Sequence, residues 1–277
     1  MRWPKDWGTR TAVMGVINLT PDSFSDGGQF NQLDRALAEA SRQIASGADC
    51  LDLGAQSTRP NAHEVGEDEE LKRLLPTLKA IRAAHPNVLL SVDTFLAAVA
   101  EQALEAGAAW INDVSGGRRD STMSPLIARA GCPFVLRHSR GTSRTMDRCT
   151  DYGVQGVVQG VLTELRAATD RAVEAGVQRD QLLWDPGLGF AKTTAQNLTL
   201  LQQLDTLVSA GIPLLLGPSR KRFIGAVLDE PRARARLWGT AAVCARAVDA
   251  GVAVLRVHDV GPIHQVVTMA SAIGSDR

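Results

Sequence analysis

Short apolar runs recur along the chain, separated by longer segments rich in Ala, Leu, Glu and Arg. Four occupy the first half, at 13–18 (VMGVIN), 50–55 (CLDLGA), 89–94 (LLSVDT) and 108–114 (AAWINDV). Four more follow at 133–138 (PFVLRH), 182–187 (LLWDPG), 213–217 (PLLLG) and 252–258 (VAVLRVH). Such near-continuous hydrophobicity predicts parallel strands buried on both faces. The segments 34–46, 66–84, 95–106, 154–175, 194–210 and 235–250 between them are helical in character. Gly47, Gly107, Gly131, Gly176, Gly211 and Gly251 stand just ahead of the next strand, where a helix C-terminus favours a residue tolerant of left-handed backbone. Eight such units without a break in composition predict a single (β/α)8 TIM barrel over residues 1–277. An open, doubly wound sheet is the alternative that the same pattern allows.

Two long interruptions, 19–30 (LTPDSFSDGGQF) and 56–65 (QSTRPNAHEV), are rich in Pro, Gly, Ser and Asp, and both follow predicted strands. That puts them at the C-terminal mouth, where barrel chemistry takes place, and they are expected to act as mobile lids. A third, more basic mouth loop spans 139–152.

Charge and composition then narrow the function. Lys+Arg and Asp+Glu are equal at 30 each, so no global field draws in nucleic acid or an anionic membrane. Any phosphate the protein binds must be held by a local cluster. Cys50, Cys132, Cys149 and Cys244 share no CxxC spacing, which argues against a zinc site or disulfide framework and for reduced thiols in the cytoplasm. The opening MRWPKDWGTR lacks the apolar core of a signal peptide, and no stretch approaches the roughly 20 apolar residues that span a bilayer. A soluble, cytoplasmic protein is expected.

The chemistry lies at the strand ends. Each run terminates in polar residues: Asn18; Gln56 with Ser57, Thr58 and Arg59; Asp93; Asn112 with Asp113; His138; Asp185; Ser219, Arg220 and Lys221; and Arg256, His258 and Asp259. Asp93, Asn112, Asp185 and Lys221 could converge on a planar heterocycle, the carboxylates and amide accepting from ring N–H and amine groups and Lys221 donating to a carbonyl or ring nitrogen. Asn18, Arg59, Arg256 and His258 suit a diphosphate with Mg²⁺, Asn18 offering an oxygen ligand. Structural roles compete with each assignment. Asp93 could cap the following helix, Asn112 and Asp113 could form an Asx-turn before SGG, and His138 and His258 could be satisfied core histidines. GPSRKR could be a solvated basic loop.

Taken in order, VMGVINLTPDSFSDGG (13–28), LDLGAQSTRP (51–60), SVDT (91–94), INDVSGG (111–117), DPGLGFAKT (185–193), GPSRKRFIG (217–225) and RVHDV (256–260) resemble the dihydropteroate synthase family of the folate pathway over nearly the whole chain. The resemblance implies that Asn18 coordinates Mg²⁺ and that Asp93, Asn112, Asp185 and Lys221 hold a pterin beside Phe190. It implies that Arg256 and His258, with Val257 between them, bind the diphosphate, and that Asp26 and Arg59 close over the anion from the lids. It places Phe24, Thr58, Pro60 and Lys221 around a p-aminobenzoate pocket, with Arg59, Lys221, Arg256 and His258 as the catalytic set. The sequence departs from commoner forms of the family at Gln56, where many members carry Glu, at Arg137-His138-Ser139, which replaces a more usual Met-His pair, and at Pro218. Arg137 adds a cation beside or beneath the pterin pocket.

The reaction implied is displacement of diphosphate from the pterin methylene by the arylamine of p-aminobenzoate, through a dissociative, Mg²⁺-assisted step. A pterin-binding methyltransferase working with a corrinoid partner is the enzymatic alternative, and a non-catalytic pterin-binding protein is another. The segment RLWGTAAVCARAV (236–248) carries an apolar face that would permit a homodimer.

Overall fold

The computed structural model describes residues 3–20, 29–56 and 64–274. Eight strands appear where apolar runs predict them: β1 (Ala12–Asn18), β2 (Cys50–Gly54), β3 (Leu89–Asp93), β4 (Trp110–Asp113), β5 (Phe134–Arg137), β6 (Leu182–Asp185), β7 (Leu215–Leu216) and β8 (Val254–Val257). All their pairings are parallel, in the order β6-β5-β4-β3-β2-β1-β8-β7. A single parallel bridge, Trp184 to Leu214, joins β6 to the approach of β7 and brings the sheet to a nearly closed barrel. The expected TIM barrel is the observed architecture.

The register explains how the barrel positions its polar groups. Met14 lies opposite both Cys50 and Arg256, Asp52 opposite Ser91, Asp93 opposite Asn112, and Arg137 opposite Asp185. Side chains alternate with period two along a strand, so these residues share one face, the interior. Low in the barrel that face is apolar: Met14, Cys50, Leu89, Trp110, Val135, Leu183, Leu215 and Val254 pack as one cluster. Beneath it Trp3 stacks on Trp7 with ring centroids 4.4 Å apart and meets Trp110 edge-on at 5.3 Å, flooring the barrel. The other phase, including Val13, Ile17, Leu51, Leu53, Leu90 and Ile111, packs outward against the helices.

Ten α-helices surround the described barrel: α1 (Gln29–Ala45), α2 (Glu67–Ala84), α3 (Ala97–Glu105), α4 (Met123–Ala130), α5 (Gly156–Glu174), α6 (Thr194–Gln202), α7 (Leu204–Val208), α8 (Arg222–Leu228), α9 (Leu237–Asp249) and α10 (Val260–Gly274). The six glycines ahead of the strands all have positive φ, from 62° at Gly131 to 103° at Gly107. Three helices escape the sequence pattern. α4 and α8 are short, at 8 and 7 residues, and α10 carries Gly261 and Pro262 directly after its first residue, Val260, residues that read as a turn but are tolerated in a first helical turn. Segment 194–210 breaks at Gln203 (φ −107°, ψ 29°) into α6 and α7. No helix among the described residues is long and apolar enough to cross a membrane. Most of both predicted lids lies outside the described residues.

The floor is testable. Trp110 is fully buried, so Trp110→Ala is expected to lower unfolding free energy by roughly 3–5 kcal/mol in chemical denaturation; a change within about 0.5 kcal/mol would show that the aromatic stack carries no weight.

Candidate active site

Above the apolar layer the same inward phase turns polar, and its charges neutralise one another. Arg256 donates from Nε to Asp52 Oδ2 at 2.5 Å and from Nη2 to Asp93 Oδ2 at 2.9 Å. Asn112 Nδ2 donates to Asp52 Oδ2 at 3.3 Å. On the other side, Arg137 donates from Nε to Asp185 Oδ2 at 2.9 Å and from Nη2 to Asn112 Oδ1 at 3.1 Å, with Nη2 also 3.6 Å from Asp93 Oδ2. Asp185 Oδ1 accepts the Gly187 N–H at 2.8 Å. Asp52, Asp93, Asn112, Arg137 and Asp185 are all buried, which their mutual pairing makes tolerable. Burial raises the Asp93 carboxyl above its ordinary pKa, against the opposing pull of Arg137 and Arg256. Burial also works against the charge on Arg256, but Asp52 and Asp93 outweigh it and hold the guanidinium above its usual range.

A second set sits beside this cage. Ser219 Oγ lies 2.9 Å from His258 Nδ1 and accepts the His258 backbone N–H at 3.2 Å, while Asn18 Nδ2 lies 3.4 Å from His258 Nε2. Burial first, then Arg220 and Arg256, push the His258 imidazole down to about 3, so it is neutral. Arg220 adopts a left-handed φ of 61°, donates its backbone N–H to Thr240 Oγ1 at 3.2 Å, and forks onto Asp259 at 3.0 and 2.6 Å.

Phe190 and Lys221 form the wall between cage and solvent. Lys221 Nζ sits 4.2 Å from the Phe190 ring centroid, and burial together with Arg137 lowers its ammonium to about 7. Phe190 is held from below. Lys192 Nζ donates to the carbonyls of Gly187 at 3.1 Å and Phe190 at 2.9 Å and contacts His138 Nδ1 at 2.9 Å; His138 Nε2 lies 3.1 Å from Glu164 Oε2. Gly187 (φ 68°) is required here, because a Cβ would lie 1.9 Å from the His138 carbonyl oxygen.

Among the residues singled out from sequence, Asn18, Asp93, Phe190, Lys221, Arg256 and His258 line one cleft of about 1400 Å³. Asn112 and Asp185 join it through the cage. Arg256, grouped by sequence with the anion set, is bound to Asp52 and Asp93 on the heterocycle side. The Val257 side chain belongs to the outer packed layer, so only its backbone borders the mouth. Phe24, Asp26, Thr58, Arg59 and Pro60 lie outside the described residues. Of the structural alternatives, the Asx-turn holds for Asp113, which accepts from the N–H groups of Ser115 at 2.7 Å and Gly117 at 2.9 Å. It fails for Asp93 as a cap, since the Ala97 N–H donates to Asp120 instead. His138 is a supporting core histidine. Asp52 was not singled out from sequence, although it lies two residues before Gly54 on the inward phase.

Cations crowd the rim of the cleft, with Arg35, Arg42, Arg222 and Arg234 around Lys221 and Arg220. The arrangement suits a flat ring with N–H donors, inserted against Phe190, carrying a polyanion toward His258 and Asn18.

A family model described as "Pterin binding enzyme" matches residues 14–258. The chain is 46% identical over 272 residues to a dihydropteroate synthase of Synechocystis, covering 97% of this chain and 92% of that protein. It superposes with a TM-score of 0.91 on a dihydropteroate synthase of Clostridium difficile solved in the presence of pteroic acid, at 38% identity and covering 97% and 98% of the two chains. A dihydropteroate synthase of Xanthomonas albilineans solved with 4-aminobenzoic acid gives a TM-score of 0.88 at 39% identity, covering 95% and 93%.

The two buried imidazoles have a pH consequence. His258 is lowered to about 3 and His138 to about 4, the latter by burial and then by Lys192. An unfolded histidine titrates near about 6.5, so below that pH the unfolded chain binds more protons and stability falls with acidification. Histidine NMR titration of the empty protein should show neither imidazole protonating above about pH 5; a midpoint near the ordinary value at His258 would contradict the packing described.

Proposed function

The chain belongs to the pterin-binding enzyme family, as a transferase among the dihydropteroate synthases of folate synthesis, and we propose that it joins 6-hydroxymethyl-7,8-dihydropterin diphosphate to 4-aminobenzoate, giving 7,8-dihydropteroate and diphosphate. One observation carries this reading: the acceptor-rich cage of Asp93, Asn112 and Asp185 opens, past Phe190 and Lys221, into the same cleft as Asn18 and His258.

In this reaction the carbon–oxygen bond at the pterin methylene breaks, a nitrogen–carbon bond forms, and the arylamine loses a proton. The buried carboxylates Asp93 and Asp185 favour electron release from the ring toward the methylene cation. Arg256, paired in the cage with Asp52 and Asp93, stabilises negative charge on the departing oxygens, with the neutral His258 imidazole beside them and Arg59 assigned to the same role by the family resemblance. The arylamine is neutral near neutral pH and needs orientation more than a base. Lys221 borders its pocket; the family resemblance assigns Phe24, Thr58 and Pro60 to that pocket and Asp26 and Arg59 to the anion, all outside the described residues.

The residues fit Mg²⁺ as a companion of the diphosphate. Asn18 turns Nδ2 toward His258, which leaves Oδ1 as the coordinating atom, and no cluster of three His, Cys, Asp or Glu among the described residues offers a competing metal site. Mg²⁺ commonly takes few protein ligands, the remainder coming from phosphate oxygens and water. When bound, it would supply charge neutralisation on the leaving group.

We further propose a cytoplasmic homodimer. The cysteines are all free, in keeping with a reducing compartment. Val227 and Leu228 on α8, Trp238 on α9, and Met269 and Ile273 on α10 are exposed large apolar residues on late helices that touch one another. Trp238→Glu should shift the sedimentation coefficient to that of a monomer; an unchanged value would place the interface elsewhere.

Diphosphate release from the pterin diphosphate should depend on Mg²⁺ and be matched by dihydropteroate formation when 4-aminobenzoate is present, whereas a methyl-transferring barrel would release none. Arg256→Ala should lower turnover on the order of 10²–10³-fold while weakening bare pterin binding far less. Equal losses in both would remove Arg256 from the leaving-group role.

A further inference from the structure

The acceptors offered to a ring are already taken by a side chain. Arg137 donates to Asp185 Oδ2 at 2.9 Å and Asn112 Oδ1 at 3.1 Å and stands 3.6 Å from Asp93 Oδ2. It is 3% exposed, and its guanidinium carbon lies 5.3 Å from the centroid of the Phe190 ring. The side chain therefore lies between the cage acceptors and Phe190, the aromatic wall of the cleft.

A guanidinium carries several N–H donors on one carbon in a planar fork. A 2-amino-4-oxopteridine carries the same unit, because its ring N3–H and its exocyclic amine share one carbon; that edge is a cyclic guanidine. A ring presenting the same fork would compete with Arg137 for Asp185 Oδ2 and Asn112 Oδ1. We propose that Arg137 is an internal stand-in for the heterocycle, holding the cage acceptors and yielding them when the pterin binds. It is thereby a specificity-determining residue of this site. The inference rests on the pterin reading of the cleft.

The exchange is selective because of burial. Arg137 keeps the buried Asp185 carboxylate and Asn112 amide paired. A ring that replaces it with matching donors leaves no acceptor orphaned, whereas a ring without the amino group strands one, and a stranded buried acceptor is strongly disfavoured. The apparent dissociation constant is the intrinsic one divided by the fraction of molecules with the acceptors free. If Arg137 occupies them about nine times in ten, removing it tightens binding about tenfold.

Calorimetric titration of the bare 6-hydroxymethylpterin into wild type, Arg137→Met and Arg137→Lys tests this, with thermal melts to establish folding. Arg137→Met, similar in length but without donors, should bind on the order of tenfold tighter than wild type, and Arg137→Lys should fall between, since a point charge lacks the fork. The unmodified protein gives an independent readout: the Arg137 Nε–H resonance should shift and lose exchange protection on saturation with the pterin. Equal or weaker binding by folded variants, or an unchanged Nε–H resonance at saturation, overturns the stand-in. Failure of wild type and variants alike to bind the pterin would overturn the reading of the cleft, and the stand-in with it.

Discussion

Opposite charges buried inside the barrel, each paired across strands, are the condition on which the site depends. Asp52, Asp93 and Asp185 meet Arg256 and Arg137 where water is largely excluded, and removing any one would leave a partner uncompensated at high energetic cost. The parallel register makes the pairing possible. It sets Met14 opposite Cys50 and Ala12 opposite Val254 within the apolar cluster, and Asp93 opposite Asn112 and Arg137 opposite Asp185 in the polar part, so the lower layer provides a rigid base and the upper layer the chemistry. Nothing in this division needs a loop to arrange it.

A second constraint fixes the aromatic wall. The tight turn at Gly187 brings Phe190 over the cage, and Lys192 ties that turn to the core through two carbonyls and His138. Burial lowers the Lys192 ammonium to about 7, so the tie is made partly by a group near its titration point. The side chains that touch a ring thus rest on side chains that never do, and the loop behaves as an extension of the barrel.

Much of this was legible in the sequence. The eight apolar runs and their preceding glycines gave the barrel because burial on both faces and left-handed helix ends are local requirements. Asp93, Asn112 and Asp185 were legible because they end strands. Asp52 was not, for it lies inside β2, and its value comes from Arg256, 204 positions away. Arg137 was visible as an added cation, but its grip on Asp185 and Asn112 depends on strand register, which single residues do not encode. His138 ended a strand like the others, yet Lys192 and Glu164 make it a support. α10 was hidden by a glycine and a proline that its first turn absorbs.

The tryptophans have a consequence for spectroscopy. Trp3, Trp7 and Trp110 lie in the floor, Trp184 donates its indole N–H to Thr169 in the outer layer, and Trp238 is on the outer surface at 79% exposure. None of the five is among the described residues that line the cleft. Indole emission from this chain therefore originates in the base of the barrel and its outer skin, and the cleft-lining residues described contribute no indole. Filling of the cleft is followed through the optical signal of whatever enters.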